Sequence, residues 1–219
     1  MFTRVLFLIL TTLFVSTSFA EPTNLSREIN ELKRYHDDGA YAQEFETTIS
    51  QAKAILKVHL ELNQARKNQK KLAMVFDIDE TALSNYNDMA ILNFGGTLKA
   101  IDDNIAQGHD SVLKPTLDLY NFAKKQGVTL FFVTGRHDNV RDATIKNLEA
   151  VGYHDWKAIY FKPNDYHLPS VVPYKTHARQ EITQKGYEIV ESLGDQWSDL
   201  AGGYADNTFK LPNPYYYIP

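Results

Sequence analysis

Apolar residues recur along this chain with two different periods, and the change falls near residue 70. From Ser26 to Arg34, and again from Ala40 to about Asn68, the spacing is helical, as in Phe45, Ile49, Ala52, Leu56 and Leu60. Gly39 supplies a break between the two predicted helices. From Leu72 onward short apolar runs alternate with helix-length segments. The spacing predicts strands over Leu72–Ile78, Val128–Val133, Ala158–Phe161 and Glu188–Leu193, with a short one at Thr208–Leu211. Helices are expected near Pro115–Lys125, Asn139–Val151 and Tyr174–Gly186. Strands separated by helices imply parallel pairing with helices on both faces, an α/β, Rossmann-like three-layer fold. Residues 84–114 are too long for a simple connection and read as a small cap-like insertion above the strand ends. The expected organisation is an N-terminal helical segment, residues 21–70, packed on an α/β domain spanning 71–219.

The first twenty residues stand apart. Arg4 precedes an apolar run from Val5 to Val15, and Ser18 and Ala20 place small side chains ahead of Glu21-Pro22. This is the pattern of a signal peptide over residues 1–20, too short in its apolar part for a membrane anchor. The expectation is an exported protein, periplasmic or secreted, with no stable membrane anchor after cleavage. Cleavage would remove Arg4 and no acid from a chain of formal charge −4. No basic surplus points to nucleic acid or acidic lipid as a partner. The chain holds no cysteine, which excludes disulfides, thiol catalysis, cysteine metal ligands and a lipidated cysteine.

Candidate chemistry gathers where strands should end, which is where open α/β sheets bind ligands. The run Leu72–Phe76 passes into Asp77-Ile78-Asp79-Glu80-Thr81, two carboxylates two positions apart. The second strand runs into Thr134-Gly135-Arg136, where a hydroxyl, a glycine and a helix start can donate hydrogen bonds to an anion. Lys175 opens a predicted helix within Pro173–Arg179. Glu188–Leu193 reads into Gly194-Asp195-Gln196-Trp197-Ser198-Asp199, a second pair of acids. His36 and His59 have no partner spacing and read as ordinary polar-face residues, and Glu80 reads as peripheral.

In chain order this is DxDxT, strand-Thr-Gly, Lys, GDxxxD, which resembles all four motif positions of the haloacid dehalogenase-like superfamily over Leu72–Pro219. DIDET, VTGR, YKTHAR, GDQWSDL and FKLPNPYYYIP look more narrowly like the class B-type acid phosphatases of subfamily IIIB. The likeness is closest to plant acid phosphatases and vegetative storage proteins, and more distant to bacterial lipoprotein acid phosphatases. The resemblance implies that Asp77 attacks phosphorus and forms an aspartyl-phosphate, while Asp79 protonates the leaving group and then deprotonates water. It implies Mg²⁺, a hard cation for oxygen ligands, held by Asp77, the Asp79 carbonyl and Asp195. Asp199 either holds a water on the metal or orients Lys175. Thr134, Gly135 and Lys175 would bind the phosphoryl group.

Substrate choice is expected in the insertion and the tail. Tyr86 and Phe94 either offer an aromatic platform to a base or phenyl ring or pack the insertion, and Arg136 and His137 can meet a substrate's outer groups. Tyr215-Tyr216-Tyr217 either seals the sheet end or brings a ring to the pocket mouth. The implied partner is a small phosphomonoester, nucleotides included. Two other readings stay open: a non-catalytic phosphate-binding or storage protein, and a phosphotransferase. The resemblance includes some plant proteins that serve mainly for storage and have lost the nucleophile, which Asp77 here retains.

Overall fold

The computed structural model describes residues 22–219, so the signal-peptide expectation lies outside the described residues. The apolar runs that predicted strands do form one parallel sheet. Its strands are β1 (Lys71–Phe76), β4 (Thr129–His137), β5 (Ala158–Lys162), β6 (Tyr187–Gly194) and β7 (Asn207–Lys210), in the order β5-β4-β1-β6-β7. Strand β1 lies central, paired with β4 and β6, and is buried along both faces from Leu72 to Phe76. This is why it reads as a continuous apolar run and does not alternate.

Seven helices flank the sheet among the described residues. Helix α1 (Leu25–Asp37) is capped by the Asn24 side chain, and α2 (Ala40–Ala65) follows Gly39, whose φ of 86° suits a residue without Cβ. Tyr41, Phe45, Ile49, Ala52 and Leu56 form the buried stripe of α2. With Leu119 and Tyr120 of α5 (Lys114–Lys125) and Leu148 of α6 (Arg141–Ala150), they cover one sheet face around Met74, Phe76, Leu130 and Phe132. On the other face Ala178 and Ile182 of α7 (Val172–Gln184) pack on Ala73, Val75, Phe131, Val133 and Ile189. The N-terminal helices thus complete one layer of the core.

The insertion contains α3 (Tyr86–Ile91) and α4 (Leu98–Gln107). Its feet are the antiparallel two-residue strands β2 (Leu83–Ser84) and β3 (Ser111–Val112).

Element boundaries depart from expectation where the site lies. Strand β1 ends at Phe76, so Ile78 falls in the following loop. Strand β4 runs on to His137, with its pairing to β5 interrupted between Val133 and His137. Thr134-Gly135-Arg136 therefore lies in the tail of a strand. The expected helix start there is displaced to Arg141, after a single turn at Asp138–Val140.

Candidate active site

The carboxyl ends of β1, β4 and β6 meet around one cluster of charge. Asp77 is the first residue past β1, and its N–H still donates to the Leu193 carbonyl (2.9 Å), which fixes its backbone against β6. Asp195 follows β6 directly. Asp77, Asp195 and Asp199 are each less than 5% exposed, and one oxygen from each lies within 4.8 Å of the others. The Lys175 ammonium, 4% exposed at the N-terminal turn of α7, donates to Asp77 Oδ1 (2.8 Å) and to Asp199 Oδ1. Its stem is sealed under the sheet end and its charge sits between two acids.

Three carboxylates share one ammonium, so the cluster carries excess negative charge in a dry setting. Burial, followed by repulsion from Asp199, pushes the Asp77 carboxyl well above its usual range. Burial and Asp199 also raise Asp195, to about 6, although Asn213 and Gln196 hydrogen bonds oppose the shift. Burial alone would lower Lys175, but Asp199 and Asp77 outweigh it and keep the ammonium charged. Buried like charges are costly unless a cation joins them, and an all-oxygen donor set suits a hard divalent one. The three acids form a group that could hold a metal ion.

Each acid is oriented by its own neighbours. Asp195 Oδ2 accepts from Gln196 Nε2 (2.7 Å) and Asn213 Nδ2 (2.5 Å), which directs its other oxygen toward the cluster. Asp199 Oδ2 accepts from the Gln196 N–H (2.8 Å), so both of its oxygens have protein partners. Gly194 makes this possible: a Cβ there would lie 2.2 Å from the Asp199 Cβ. Arg179, fully buried, donates to the carbonyls of Asp199, Ala201 and Gly203 and anchors the loop from beneath.

Thr134 is buried in the tail of β4 and its hydroxyl accepts from the Arg136 N–H (3.1 Å). Gly135 beside it is half-buried, and a Cβ built on it would meet nothing within 4 Å.

Several expectations are corrected. Arg136 does not reach outward to substrate. It is buried, donating to Asp79 through Nε and Nη2, to Asp110 through Nη2 (2.7 Å) and to Thr144 through Nη1 (3.2 Å). These contacts hold the Asp79 carboxyl below its usual range, against the opposing effect of burial. His137, half-buried, has its Nδ1 3.2 Å from the Pro163 carbonyl. Tyr86 offers no open platform: His36 stacks on its ring at 3.4 Å, and its hydroxyl donates to Asp37. Phe94 stacks on Tyr215 (5.3 Å, 10°), so that surface is also used internally. His36 is thus no idle polar-face residue, and His59 lies 2.7 Å from the Asn207 side chain. Glu80 is not peripheral. It is fully buried at a φ of 48°, accepting from Tyr41 Oη (3.0 Å) and the Asn85 N–H (2.6 Å). Burial raises its carboxyl to about 8. It joins α2 to the loop that carries Asp77 and Asp79.

The tail divides its three tyrosines. Tyr215 is buried against Tyr41, Tyr86 and Phe94, and Tyr217 is exposed. Tyr216 is close enough to Asp195, Asp79, Glu80 and Asp77 that burial and their charges push its hydroxyl well up. A cavity of about 450 Å³ opens beside Asp195, between Trp197, Lys210, Tyr216 and Tyr217.

An acid after the central strand of a parallel sheet, a buried lysine and a second pair of acids after the neighbouring strand thus gather at one end of the sheet. Residues 16–219 match the model of the HAD superfamily, subfamily IIIB (Acid phosphatase), and the chain belongs to that family. Among curated relatives, it is 40% identical over 156 residues to the stem 28 kDa glycoprotein of Glycine max, covering 68% of this chain and 61% of that protein. It is 37% identical over 150 residues to acid phosphatase 1 of Solanum lycopersicum (66% and 58% covered) and 36% identical over 159 residues to vegetative storage protein 1 of Arabidopsis thaliana (71% and 58%). The chain spans about three-fifths of the length of these relatives. The solved class C acid phosphatase from Bacillus anthracis shares the fold, with a TM-score of 0.68 at 24% identity, covering 88% of this chain and 86% of that one.

Proposed function

We propose that this chain is a metal-dependent acid phosphatase that hydrolyses small phosphomonoesters outside the cytoplasm through an aspartyl-phosphate. The observation that carries the reading is Asp77 beside Lys175, with Asp195 and Asp199 closing the cluster. Storage proteins on this scaffold have no use for an intact nucleophile with its charge partners assembled around it.

An oxygen of Asp77 attacks phosphorus and the ester P–O bond breaks. Its electron pair passes to the leaving oxygen, which takes from Asp79 the proton that this carboxyl acquires when the negative phosphate group docks beside it and opposes the pull of Arg136. A water then attacks the aspartyl-phosphate, giving its proton to Asp79, and the P–O bond to Asp77 breaks to release phosphate. Lys175, held charged by its two acids, offsets the negative charge that gathers on the phosphoryl oxygens. The Gly135 N–H and the Thr134 hydroxyl lie at the same strand end and would receive those oxygens. Asp77 and Asp195, each with an oxygen free of protein partners among the described residues, and the Asp79 carbonyl would hold Mg²⁺. Its chemistry there is to neutralise the approach of a carboxylate to a phosphoryl dianion. Asp199, with both oxygens taken, fits the role of orienting Lys175.

Hydrolysis of p-nitrophenyl phosphate between about pH 5 and pH 7, with EDTA and then with added Mg²⁺, tests this. Turnover abolished by EDTA and restored by Mg²⁺ is the expected result. No turnover with any divalent ion, together with phosphate binding by calorimetry, would replace it with the storage or binding reading. Phosphoryl transfer to added glycerol would show the phosphotransferase reading.

A further inference from the structure

The arrangement around Asp79 contains a device that the motif pattern does not mark. The Asp79 carboxylate is held unequally at its two oxygens. Its Oδ1 accepts from Arg136 Nη2 (2.8 Å), Arg136 Nε (3.1 Å) and Asn85 Nδ2 (2.7 Å), whereas Oδ2 receives only the shared Arg136 Nε (3.1 Å). Three donors saturate Oδ1, while Oδ2, with one shared donor, keeps lone-pair capacity. The guanidinium is fixed in turn. Its Nη2 also donates to Asp110 Oδ2 (2.7 Å) and its Nη1 to Thr144 (3.2 Å), so rotation about its long stem is blocked. Asp110 is itself held by a two-way contact with Asn147 of α6: its N–H donates to Asn147 Oδ1 (2.8 Å), and Asn147 Nδ2 donates to its carbonyl (2.9 Å). Arg136 and Asp110 side chains are 1% and 2% exposed. A buried, doubly charged arrangement of this kind is expensive to assemble and weak evidence for stability on its own.

We propose that Arg136 and Asp110 are the positioning pair of the proton-transferring acid, turning Asp79 so that Oδ2 alone carries the proton to and from the reacting oxygen. The proposal rests on Asp79 being that acid. Asp110 immediately precedes β3, and Asn85 stands just before α3 with its side chain on Asp79, so both ends of the insertion contribute to the hold on Asp79. The insertion therefore orients the acid as well as covering the site. A carboxylate free to turn would spend much of its time with the wrong oxygen or the wrong lone pair presented, and misplacement by about an ångström can cost on the order of 10²-fold.

Leaving-group dependence separates positioning from general damage. An ester of p-nitrophenol hardly needs protonation as it leaves, and an alkyl phosphate needs it fully. The ratio kcat/KM reports the steps through departure of that group. It should be measured with Mg²⁺ present for p-nitrophenyl, phenyl and glycerol phosphate on the wild type, Arg136→Lys, Asp110→Asn and Asp79→Asn. The expected result for the first two variants is a fall of about 10²-fold for glycerol phosphate and less than about 10-fold for p-nitrophenyl phosphate. Asp79→Asn should show the same trend more steeply. Equal falls for all three esters in Arg136→Lys and Asp110→Asn, or no fall, would overturn the positioning role while Asp79→Asn still shows the trend. A flat response in Asp79→Asn itself would instead remove Asp79 as the acid, and the proposal with it. Asp110→Asn keeps shape and an accepting oxygen, so it carries the test where Arg136→Lys does not fold.

Discussion

Replacing Glu191 by glutamine should flatten the pH dependence of stability without touching the site. Glu191 lies on β6 opposite Met74 of β1, sharing a sheet face with Leu193 and Phe76 and with the core beneath α2. It is fully buried, and neither carboxylate oxygen has a hydrogen-bonding partner among the described residues. Burial raises its carboxyl from 4.5 to about 8. The folded state therefore keeps this proton over a range in which the unfolded chain has already lost it. Stability is whole below the unfolded value, declines as pH rises from about 4.5 to 8, and levels off above. At about 1.36 kcal/mol per unit the ceiling on the loss is about 5 kcal/mol, and relaxation of the site should reduce it to about half. Urea unfolding of wild type and Glu191→Gln at several pH values reads the difference, and contributions of other titrating groups cancel in it. The variant should gain on the wild type by about 2–3 kcal/mol between pH 5 and pH 8, or roughly 5–10 °C in Tm for a chain of this size. Parallel curves would refute the reasoning and show that the carboxylate is solvated or paired.

Other substitutions probe the site directly. Asp77→Asn should lose at least about 10³-fold in turnover while retaining its melting temperature or gaining a little, since it removes one of three mutually repelling acids. Lys175→Met, which strips the only ammonium in contact with Asp77 and Asp199 among the described residues, should lower stability by about 3–5 kcal/mol in denaturant titration and abolish turnover. Gly194→Ala forces a Cβ to 2.2 Å from that of Asp199; a loss of about 1–3 kcal/mol and of most activity is expected, measured by Tm and p-nitrophenyl phosphate hydrolysis. Tyr41→Phe removes the hydroxyl on Glu80 and should cost about 1–3 kcal/mol by urea titration.

What could be read from the chain follows from where the signal lies. Strand β1 is legible because a central parallel strand must be apolar on both faces, and Phe45, Ile49, Ala52 and Leu56 are legible because one helix face meets the core. The acids and Lys175 are legible because strand ends concentrate them and the motif spacing is distinctive. Asp110 carries no such mark. It is an isolated acid in a polar stretch, and its partner lies 26 positions along the chain on another strand. Glu80 misleads for a related reason: its backbone turns into the left-handed region, which sends its side chain inward to Tyr41 instead of out to solvent. Tyr86 and Phe94 share the fault of any aromatic in a loop, since the sequence does not reveal which ring already covers its face.

Glu80 and Tyr86 have one thing in common. Tyr41, Asp37 and His36 come from the N-terminal helices, and they meet Glu80 and Tyr86, which lie just past the loop that carries Asp77 and Asp79 and open the insertion. The N-terminal helices are thus joined by hydrogen bonds and stacking to the elements that hold Asp79. A segment kept only to cover a sheet face would need Phe45, Ile49 and Leu56 and nothing polar at its start. A buried polar contact such as Tyr41–Glu80 stabilises only when every partner is in place, and the partners of this group of contacts lie on three separate stretches of chain. The geometry of Asp79 therefore depends on α1, α2 and the insertion docking together, so that loss of the N-terminal helices should weaken proton transfer as well as the fold.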